Sequence, residues 1–318
     1  MLTRALLRTK TAQVLYANFL SRNDVFTMQN ELNFSLQKTY DLYHFLLLLP
    51  LEITKLARQD LVNTDKKLLK TDEFSSEKLA ENIFIEKFYE NKLFNDYIAK
   101  QKISWLPYQD ELQKIFLKIK NNSRFYQKYV ENETRSLEED KRFWEIFFSS
   151  KVFFDDEFED FLEDLSIYWL DDVGIVRSFA EQTIHEFDPD AADKKNILSM
   201  FKEKSDKLYV NDLAKIAFES SKNYDVLISN FLTSWELDRI TKIDVVLLKM
   251  AICELKSFPE IPVRVTMNEY IEIAKFYGTD KSRTFINGVL DKIVKRMRET
   301  GTLNKLDEPM SGSQLSDN

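Results

Sequence analysis

The chain has 318 residues, 44% of them hydrophobic and 31% charged, with only 5 glycines and 6 prolines. Sheets, barrels and α/β folds need many tight turns, so this scarcity argues against them and favours an all-α fold of long helices. The length allows one large or two ordinary domains. The net charge of −8 does not suggest nucleic acid, but phosphate affinity depends on local positive patches, so nucleic-acid binding stays open.

The charge is unevenly distributed along the chain. Acidic residues are concentrated between positions 131 and 165, whereas the N-terminal residues are basic. The apolar pattern of Leu2–Leu20 predicts a first helix. Arg4 and Arg8 lie four residues apart on it and therefore project from the same side. Basic residues at a helix N-terminus oppose its dipole, so either an anion binds there or this is an ordinary solvated face.

The middle of the chain predicts further helices. Positions 27–60 give one long helix bent at Pro50, and 75–98 with 108–130 give two or three more. The last of these segments interleaves basic and aromatic residues: Phe116, Lys118, Lys120, Arg124, Phe125, Tyr126, Lys128 and Tyr129. They could form a surface that stacks bases and binds phosphate, although aromatics at helical spacing more often belong to a core.

The acidic segment also contains a helical apolar pattern. Its members are Phe154, Phe158, Phe161, Leu162, Leu165 and Trp169. We predict one helix face formed by them, with the carboxylates in solvent on the other. Trp169 and Trp235 belong to a weak repeat at an offset of 66 residues; two unrelated amphipathic helices are the preferred explanation, and a true repeat is the alternative. Residues 188–190 predict a loop.

The stretch Phe231–Met297 has the densest helix signals. Ile240, Ile243, Leu247, Met250 and Ala251 predict a single apolar stripe on an amphipathic helix. Pro259 and Pro262 interrupt the pattern, Gly278 suits a left-handed cap, and Ser282 suits the N-cap of the last helix.

The start of the last helix is a candidate RNA contact. Lys281 and Arg283 flank a helix N-terminus, whose free amides favour anions, and Phe285 adds a ring for stacking. Gly288 is unexpected inside a helix, where glycine costs about 1 kcal/mol relative to alanine. Tight helix packing is the preferred explanation, and the close approach of a ligand is the alternative.

Residues for catalysis or metal binding are scarce. The two histidines, His44 and His185, are far apart in the sequence. Cys253 is the single cysteine, so no intrachain disulfide can form, which fits a reducing cytoplasm. We predict that Cys253 is a core residue. The glycines form no phosphate-binding loop. We therefore predict no enzyme, no metal and no cofactor. Met1–Tyr16 lacks the apolar run of a signal peptide, and Phe45–Leu51 is too short to span a membrane, so we expect a cytoplasmic protein without a membrane partner.

The stretch Phe231–Met297 also resembles a known family. It contains W-E-L-D-R-I, then I-D-x-x-x-L-K-M-A, then I-P-V-x-V-x-x-N-E-Y-I-E-x-A-K-x-Y-G, and finally S-x-x-F-I-N-G-V-L-D-K-I. These motifs resemble the NusB family, and R-T-K-T-A-Q-V-L-Y at Arg8–Tyr16 resembles the family's opening helix. The resemblance implies a helical, non-enzymatic transcription antitermination factor of bacteria, acting chiefly in rRNA transcription.

The resemblance also implies partners and site residues. Family members bind boxA, a short single-stranded RNA element, together with the ribosomal protein NusE, within the transcription elongation complex. The matching RNA-binding positions are Arg4, Arg8, Lys10, Tyr16, Lys281, Arg283 and Phe285. Asp238 and Asp244 resemble the acidic contacts offered to NusE. Lys281 departs from members that carry an acidic residue there, which leaves the preferred RNA sequence open.

The chain is more than twice as long as common family members. We predict a NusB-like core from positions 1–22 and 206–300, an additional helical region at 23–205 and a disordered tail at 301–318. An rRNA cytosine methyltransferase family carries the same module, but it continues into a glycine-rich cofactor domain. The remaining alternative is a helical protein–protein scaffold whose insert is the functional surface, without specific RNA binding.

Overall fold

The computed structural model describes residues 1–65, 75–232 and 240–306. These residues form helices joined by turns, and the part of the chain so described has one isolated β-bridge, between Leu2 and Phe201. The prediction of an all-α fold is confirmed. Of the predicted tail at 301–318, residues 301–306 are described, and the buried Lys305 ammonium group donates to the Glu254 and Phe258 carbonyls at 2.9 Å. Residues 307–318 lie outside the described residues.

The α-helices are numbered here in chain order. They are α1 (Arg4–Ser21), α2 (Val25–Asp65), α3 (Glu77–Ala80), α4 (Ile83–Phe88), α5 (Lys92–Gln101), α6 (Gln109–Lys120), α7 (Lys128–Glu131), α8 (Leu137–Ser149), α9 (Asp156–Asp164), α10 (Val173–Glu186), α11 (Lys204–Glu219), α12 (Ser221–Ser229), α13 (Lys242–Ser257), α14 (Val263–Tyr277) and α15 (Ser282–Glu299). Leu106–Tyr108 and Asp193–Lys195 form 3₁₀ turns, and Ser123–Gln127 forms a π-helical turn.

The chain divides into two compact units. The terminal unit comprises Leu2–Leu36 and Phe201–Asn318, and the middle unit comprises Met1 and Gln37–Met200. The domain boundaries expected from the sequence, at 22/23 and 205/206, therefore differ by 14 and 5 residues from those of the compact units. The middle unit contains most of the residues that the family resemblance does not reach.

Helix α13 is the central helix of the terminal unit. It packs against α1, α11, α12, α14 and α15. Every residue from Val246 to Leu255 is buried, so the prediction of one apolar stripe with a solvated polar face is wrong. A helix with neighbours on all sides is buried all round, and its polar residues then need partners.

Lys249 of α13 has such partners on α12. Lys249 Nζ lies 2.7 Å from the Ser221 hydroxyl and 2.8 Å from an Asp225 carboxylate oxygen. Cys253 is fully buried, which confirms its predicted place in the core. Sequence periodicity alone could not separate these paired core residues from a solvated face.

Helix ends in the terminal unit follow local capping chemistry. The hydroxyls of Thr3 and Thr241 accept hydrogen bonds from the third residue beyond them and so cap α1 and α13. Helix α15 differs from the prediction, because its N-cap is Lys281 and Ser282 is its first residue. The Ser282 hydroxyl instead accepts a hydrogen bond from the Thr279 amide at 2.9 Å.

Gly278 ends α14 in an extended conformation, with φ −94° and ψ −172°. The predicted left-handed cap is therefore wrong. Close packing makes glycine necessary here, because a Cβ at this position would lie 2.4 Å from Ser282 Cβ and 2.6 Å from the Ala274 carbonyl oxygen. The residue lets the turn between α14 and α15 close tightly.

The middle unit is held together by aromatic side chains. Trp105 stacks on Phe45 with ring centroids 4.0 Å apart and donates its indole N–H to the Phe45 carbonyl at 2.9 Å. The run from Phe45 to Pro50 is buried inside α2, as expected for a core segment. Pro50 itself lies within that helix.

Two predictions for the middle unit need correction. The segment 75–98 forms three short helices because Asn82 and Asn91 accept hydrogen bonds from the amides of Ile85 and Phe94, and so begin new helices. Helix α9 ends at Asp164, so Trp169 is not on its apolar face. The indole N–H of Trp169 donates to the Lys38 carbonyl at 2.8 Å instead.

Among the described residues, no helix combines the length and apolar character needed to cross a membrane.

Candidate nucleic-acid interface

A cleft of about 580 Å³ lies in the terminal unit where α13 and α15 begin. Its volume falls within the range of small-ligand sites, which is about 300–1,000 Å³. The lining residues are Ile240, Thr241, Asp244, Thr279, Asp280, Lys281, Ser282, Thr284, Phe285, Gly288, Val289 and Lys292. We call this site the α13/α15 cleft.

One face of α15 supplies a ring and two cations to this cleft. Lys281, Phe285, Gly288 and Lys292 follow one another at spacings of four, three and four residues, which places them on the same side of the helix. Lys281 and Lys292 are exposed, and Phe285 is half-buried. Neither lysine forms an ion pair with a described residue.

Asp244 supplies a buried carboxylate to the α13/α15 cleft. The residue is 3% exposed, and its Oδ1 atom has no hydrogen-bond partner among the described residues. A buried polar atom without a partner costs about 1–3 kcal/mol. A ligand carrying an N–H donor would offset that cost, and the exposed amino groups of nucleobases are such donors.

Gly288 borders the cleft without a packing reason. A Cβ added at this position would meet no heavy atom within 4 Å. Tight helix packing, the explanation preferred from the sequence, is therefore wrong. The absence of a side chain instead leaves room in the cleft beside Phe285.

Arg283 lies next to this site rather than in it. Its exposed side chain lines an adjacent hollow with Asn268, Glu272, Thr284 and Asn287. Thr284 borders both the hollow and the α13/α15 cleft. The predicted trio of Lys281, Arg283 and Phe285 is thus divided, with two members in the cleft and one beside it.

The predicted residues on α1 lie in different environments. Arg4 is partly exposed, and its Nε donates to the Asp206 carboxylate at 3.0 Å. Lys10 is 2% exposed, whereas Tyr16 is at the surface with 36% exposed. Burial prevents Lys10 from presenting its ammonium group at the surface. None of these residues lines the α13/α15 cleft.

Arg8 is 2% exposed and paired with a carboxylate of the central helix. Its Nε and Nη2 donate to the two Glu254 oxygens at 2.8 and 2.9 Å. Its Nη1 lies 3.3 Å from Glu269 Oε2. The guanidinium expected to contact RNA therefore joins α1 to α13 and α14 inside the core.

Hydrogen bonding keeps Glu254 ionised despite complete burial. Burial acts to raise its pKa, but hydrogen bonds from Arg8, Tyr209 and Thr266 hold that pKa below its usual value. The Tyr209 hydroxyl donates at 2.6 Å and the Thr266 hydroxyl at 2.8 Å. Burial alone would lower the pKa of Arg8, and the bond to Glu254 raises it instead. The pair is a charged, saturated structural unit.

The remaining predicted positions concern the protein partner. Asp238 lies outside the described residues. Asp244, the second predicted acidic contact, is buried in the α13/α15 cleft rather than displayed on the surface. The structure also adds Lys292, which sequence reasoning missed although its helical spacing from Lys281 and Phe285 could have revealed it.

Residues of the types that bind metals are scattered over the described ranges. These ranges contain no group of three or more His, Cys, Asp or Glu residues that could hold a metal ion. His44 is buried against Tyr97 with ring centroids 3.9 Å apart, and His185 is exposed beside Glu145. The two histidines belong to separate local environments.

Known proteins are similar to part of this chain. The model of the NusB family matches residues 175–295. The transcription antitermination protein NusB of Salinibacter ruber is 38% identical over 104 residues, which are 33% of this chain and 65% of that protein. The NusB protein of Bacillus pumilus is 34% identical over 125 residues, 39% of this chain and 95% of the relative.

One solved structure is also similar in sequence to part of this chain. NusB from T. maritima is 33% identical, and the match covers 37% of this chain and 82% of that chain with a TM-score of 0.29. The matched share of the Salinibacter ruber relative is just under two thirds of its length.

The helical terminal unit and its cleft define an all-α protein with a candidate site for an aromatic anion. The match to nearly the full length of the Bacillus pumilus relative then identifies the family. This chain belongs to the NusB family, whose members named above are transcription antitermination proteins.

Proposed function

We propose that this protein is a transcription antitermination factor that binds a boxA-like single-stranded RNA element in the α13/α15 cleft. The observation that carries the proposal is the combination in one cleft of a half-buried ring, two lysines and a buried carboxylate oxygen, where the lysines and the oxygen have no partner among the described residues. Single-stranded RNA offers the complementary groups, since its bases stack and donate hydrogen bonds while its phosphates attract cations.

The roles of the cleft residues follow from their positions. Phe285 stacks on a base, Lys281 and Lys292 bind flanking phosphates, and Asp244 accepts a hydrogen bond from the base edge. Arg283 extends the phosphate contacts into the neighbouring hollow. Arg4 and Tyr16 are the accessible α1 residues in the proposed RNA surface, whereas Arg8 and Lys10 stabilise the fold.

The ribosomal protein NusE is the proposed protein partner within the transcription elongation complex. Family membership supports this part of the proposal. We expect NusE to increase the affinity of the chain for boxA-like RNA, and we assign rRNA transcription as the chief setting. No catalytic step is proposed for the protein.

RNA binding is tested with a boxA-like strand and a scrambled strand of equal composition, each with and without NusE. Lys292→Gln should weaken binding by about fivefold to tenfold, because a phosphate contact is lost. Lys295→Gln is the matched control, since Lys295 is exposed on the same helix but does not line the cleft. Equal losses in both variants, or equal binding of both strands, would overturn the proposal.

Gly288→Ala separates RNA binding from folding. The added Cβ meets open space, so alanine should stabilise α15 by up to about 1 kcal/mol while reducing the room in the cleft. RNA affinity should fall although unfolding requires more urea. Gly174→Ala also meets no atom within 4 Å but lies on α10 of the middle unit; it should leave RNA affinity unchanged. Undiminished RNA binding by Gly288→Ala would place the RNA elsewhere.

A further inference from the structure

The middle unit contains a second cleft, of about 440 Å³, that the proposed function does not use. It lies beside the π-helical turn Ser123–Gln127, α7 and α8. The lining residues are Asn122, Arg124, Phe125, Lys128, Tyr129, Asn132, Glu139, Arg142, Phe143, Ile146, Ser150 and Phe153. We call this site the π-turn cleft, and π-helical turns are frequent at functional sites.

Three cations of the π-turn cleft have no carboxylate partner in the described part of the chain. Arg124, Lys128 and Arg142 are exposed and form no ion pair with a described residue. Acidic residues are abundant nearby in the sequence, and other cations of the unit do pair with them: Lys118 lies 2.7 Å from Asp155. Of the described residues that line the cleft, Glu139 is the one acidic residue, so the site favours an anion.

The cleft also has an aromatic wall. Phe125 is half-buried and stacks on Phe143 with ring centroids 4.7 Å apart and planes at 23°. Phe153 contacts Phe125 with centroids 4.9 Å apart. These neighbours support the ring from inside the unit and hold it in place. A planar ligand could therefore stack on Phe125 with little loss of side-chain freedom.

We propose that the π-turn cleft binds a nucleotide, either free or as one unit of a nucleic-acid strand. The base stacks on Phe125, and the phosphate binds among Arg124, Lys128 and Arg142. The Glu139 carboxylate accepts a hydrogen bond from the ribose or from an amino group of the base. A simple inorganic anion would use the cations but leave the aromatic wall without a role.

The test uses the full chain and four probes: 5′-AMP, adenosine, inorganic phosphate and a short oligoadenylate. Binding is measured by calorimetry at low salt. Arg124→Gln combined with Arg142→Gln should weaken AMP binding by at least about tenfold. Phe125→Leu should weaken AMP and adenosine binding but not phosphate binding, because the apolar volume is kept and the ring is lost. Far-ultraviolet circular dichroism checks that each variant folds.

Matched controls separate this site from general electrostatics and from the α13/α15 cleft. Lys87→Gln combined with Lys100→Gln removes two exposed cations of the same unit that do not line the cleft and should leave AMP binding unchanged. Lys292→Gln should also leave it unchanged. Failure of that variant to weaken boxA-like RNA would count against the proposed function and not against this site.

The four probes also identify the source of the nucleotide. AMP binding that equals oligoadenylate binding supports a free nucleotide, and selective binding of the oligoadenylate supports a strand; both agree with the proposal if Phe125→Leu weakens them. Binding of phosphate alone, equal losses in the control variants, or no binding by any probe would overturn it.

Discussion

Arg8 illustrates how a residue's environment decides its role. As a basic residue near the start of a helix it suggests a phosphate contact, but its guanidinium makes two hydrogen bonds to Glu254 in the core. Buried pairs of this kind are costly to break, because the remaining charge has no solvent to stabilise it. The chemistry that makes arginine suitable for RNA also makes it suitable for a buried carboxylate.

Arg8→Met should therefore lower the free energy of unfolding by about 3–5 kcal/mol near neutral pH, leaving Glu254 buried and unpaired. Arg264→Met, at an exposed position on α14, should change it by less than about 0.5 kcal/mol. Urea denaturation measures both variants. A small effect of Arg8→Met would contradict a structural role for the pair.

The same pair predicts a dependence on pH. Because the folded-state pKa of Glu254 is lowered, its contribution to stability is present above the unfolded value and is lost as the pH falls through the folded value. Without Arg8, burial dominates and raises the pKa of Glu254 in the folded state. The stability deficit of Arg8→Met should consequently shrink as the pH is lowered.

His44 gives a second pH prediction in the middle unit. Burial lowers its pKa to about 4, despite the nearby Tyr40 carbonyl and Asp41. The unfolded chain then binds the extra proton first, so the unit should lose stability as the pH falls from about 6.5 towards 4, by roughly 3 kcal/mol in total.

Variants of the two histidines of the chain test whether His44 causes this pH dependence. His44→Phe should flatten the decline between those pH values, whereas the exposed His185→Gln should leave it unchanged. Urea denaturation of each variant across the pH range gives the comparison. An identical decline in His44→Phe would assign the pH dependence to other groups.

At the scale of elements, the turn between α14 and α15 positions the candidate RNA site. Gly278 and Ser282 are in close contact there, and the Ser282 hydroxyl accepts a hydrogen bond from the Thr279 amide. Lys281 is the N-cap of α15, and Phe285 lies in the first turn of that helix. The path of this short turn therefore determines where the Phe285 ring and the Lys281 ammonium group lie relative to Asp244.

Gly278→Ala should disturb that turn. Its Cβ would need to move either Ser282 or the Ala274 carbonyl, at a cost of about 1–3 kcal/mol. We expect reduced stability in urea together with weaker binding of boxA-like RNA. Gly174→Ala, which meets no neighbouring atom, is the control for a change of glycine to alanine. Wild-type stability of Gly278→Ala would show that the turn relaxes without cost.

At the scale of the molecule, local charge matters more than the net charge of −8. The two candidate clefts contain exposed lysines and arginines without ionic partners among the described residues. Acidic residues of the middle unit pair with other cations, as Asp155 does with Lys118 and Glu159 with Arg177. An acidic protein can in this way retain sites for phosphate.

The salt dependence of RNA binding measures those local charges. For single strands, the slope of log K against log salt changes by about 0.7 for each phosphate contact. Lys281→Gln combined with Lys292→Gln should therefore make the slope less steep by about 1.4. Lys295→Gln should leave the slope unchanged. A slope that the double variant does not alter would mean that these lysines do not contact phosphate.

The sequence by itself determined the fold class, most helix positions and the family motifs. These depend on local information, namely hydrophobic spacing, caps and the scarcity of glycine and proline. It also indicated the turn before the last helix, because cations, a ring and an unexpected glycine occur there within eight residues, from Lys281 to Gly288. Spacing within one helix was sufficient for that prediction.

Only the tertiary structure decided which charged residues are buried. Arg8 and its partner Glu254 are 246 positions apart, and nothing in either helix alone reveals that they meet. The same holds for Asp244, whose burial in a cleft depends on how α13 and α15 pack. Burial is a property of neighbouring elements, so the pattern of one helix can identify its apolar residues but cannot show which of its charges face water.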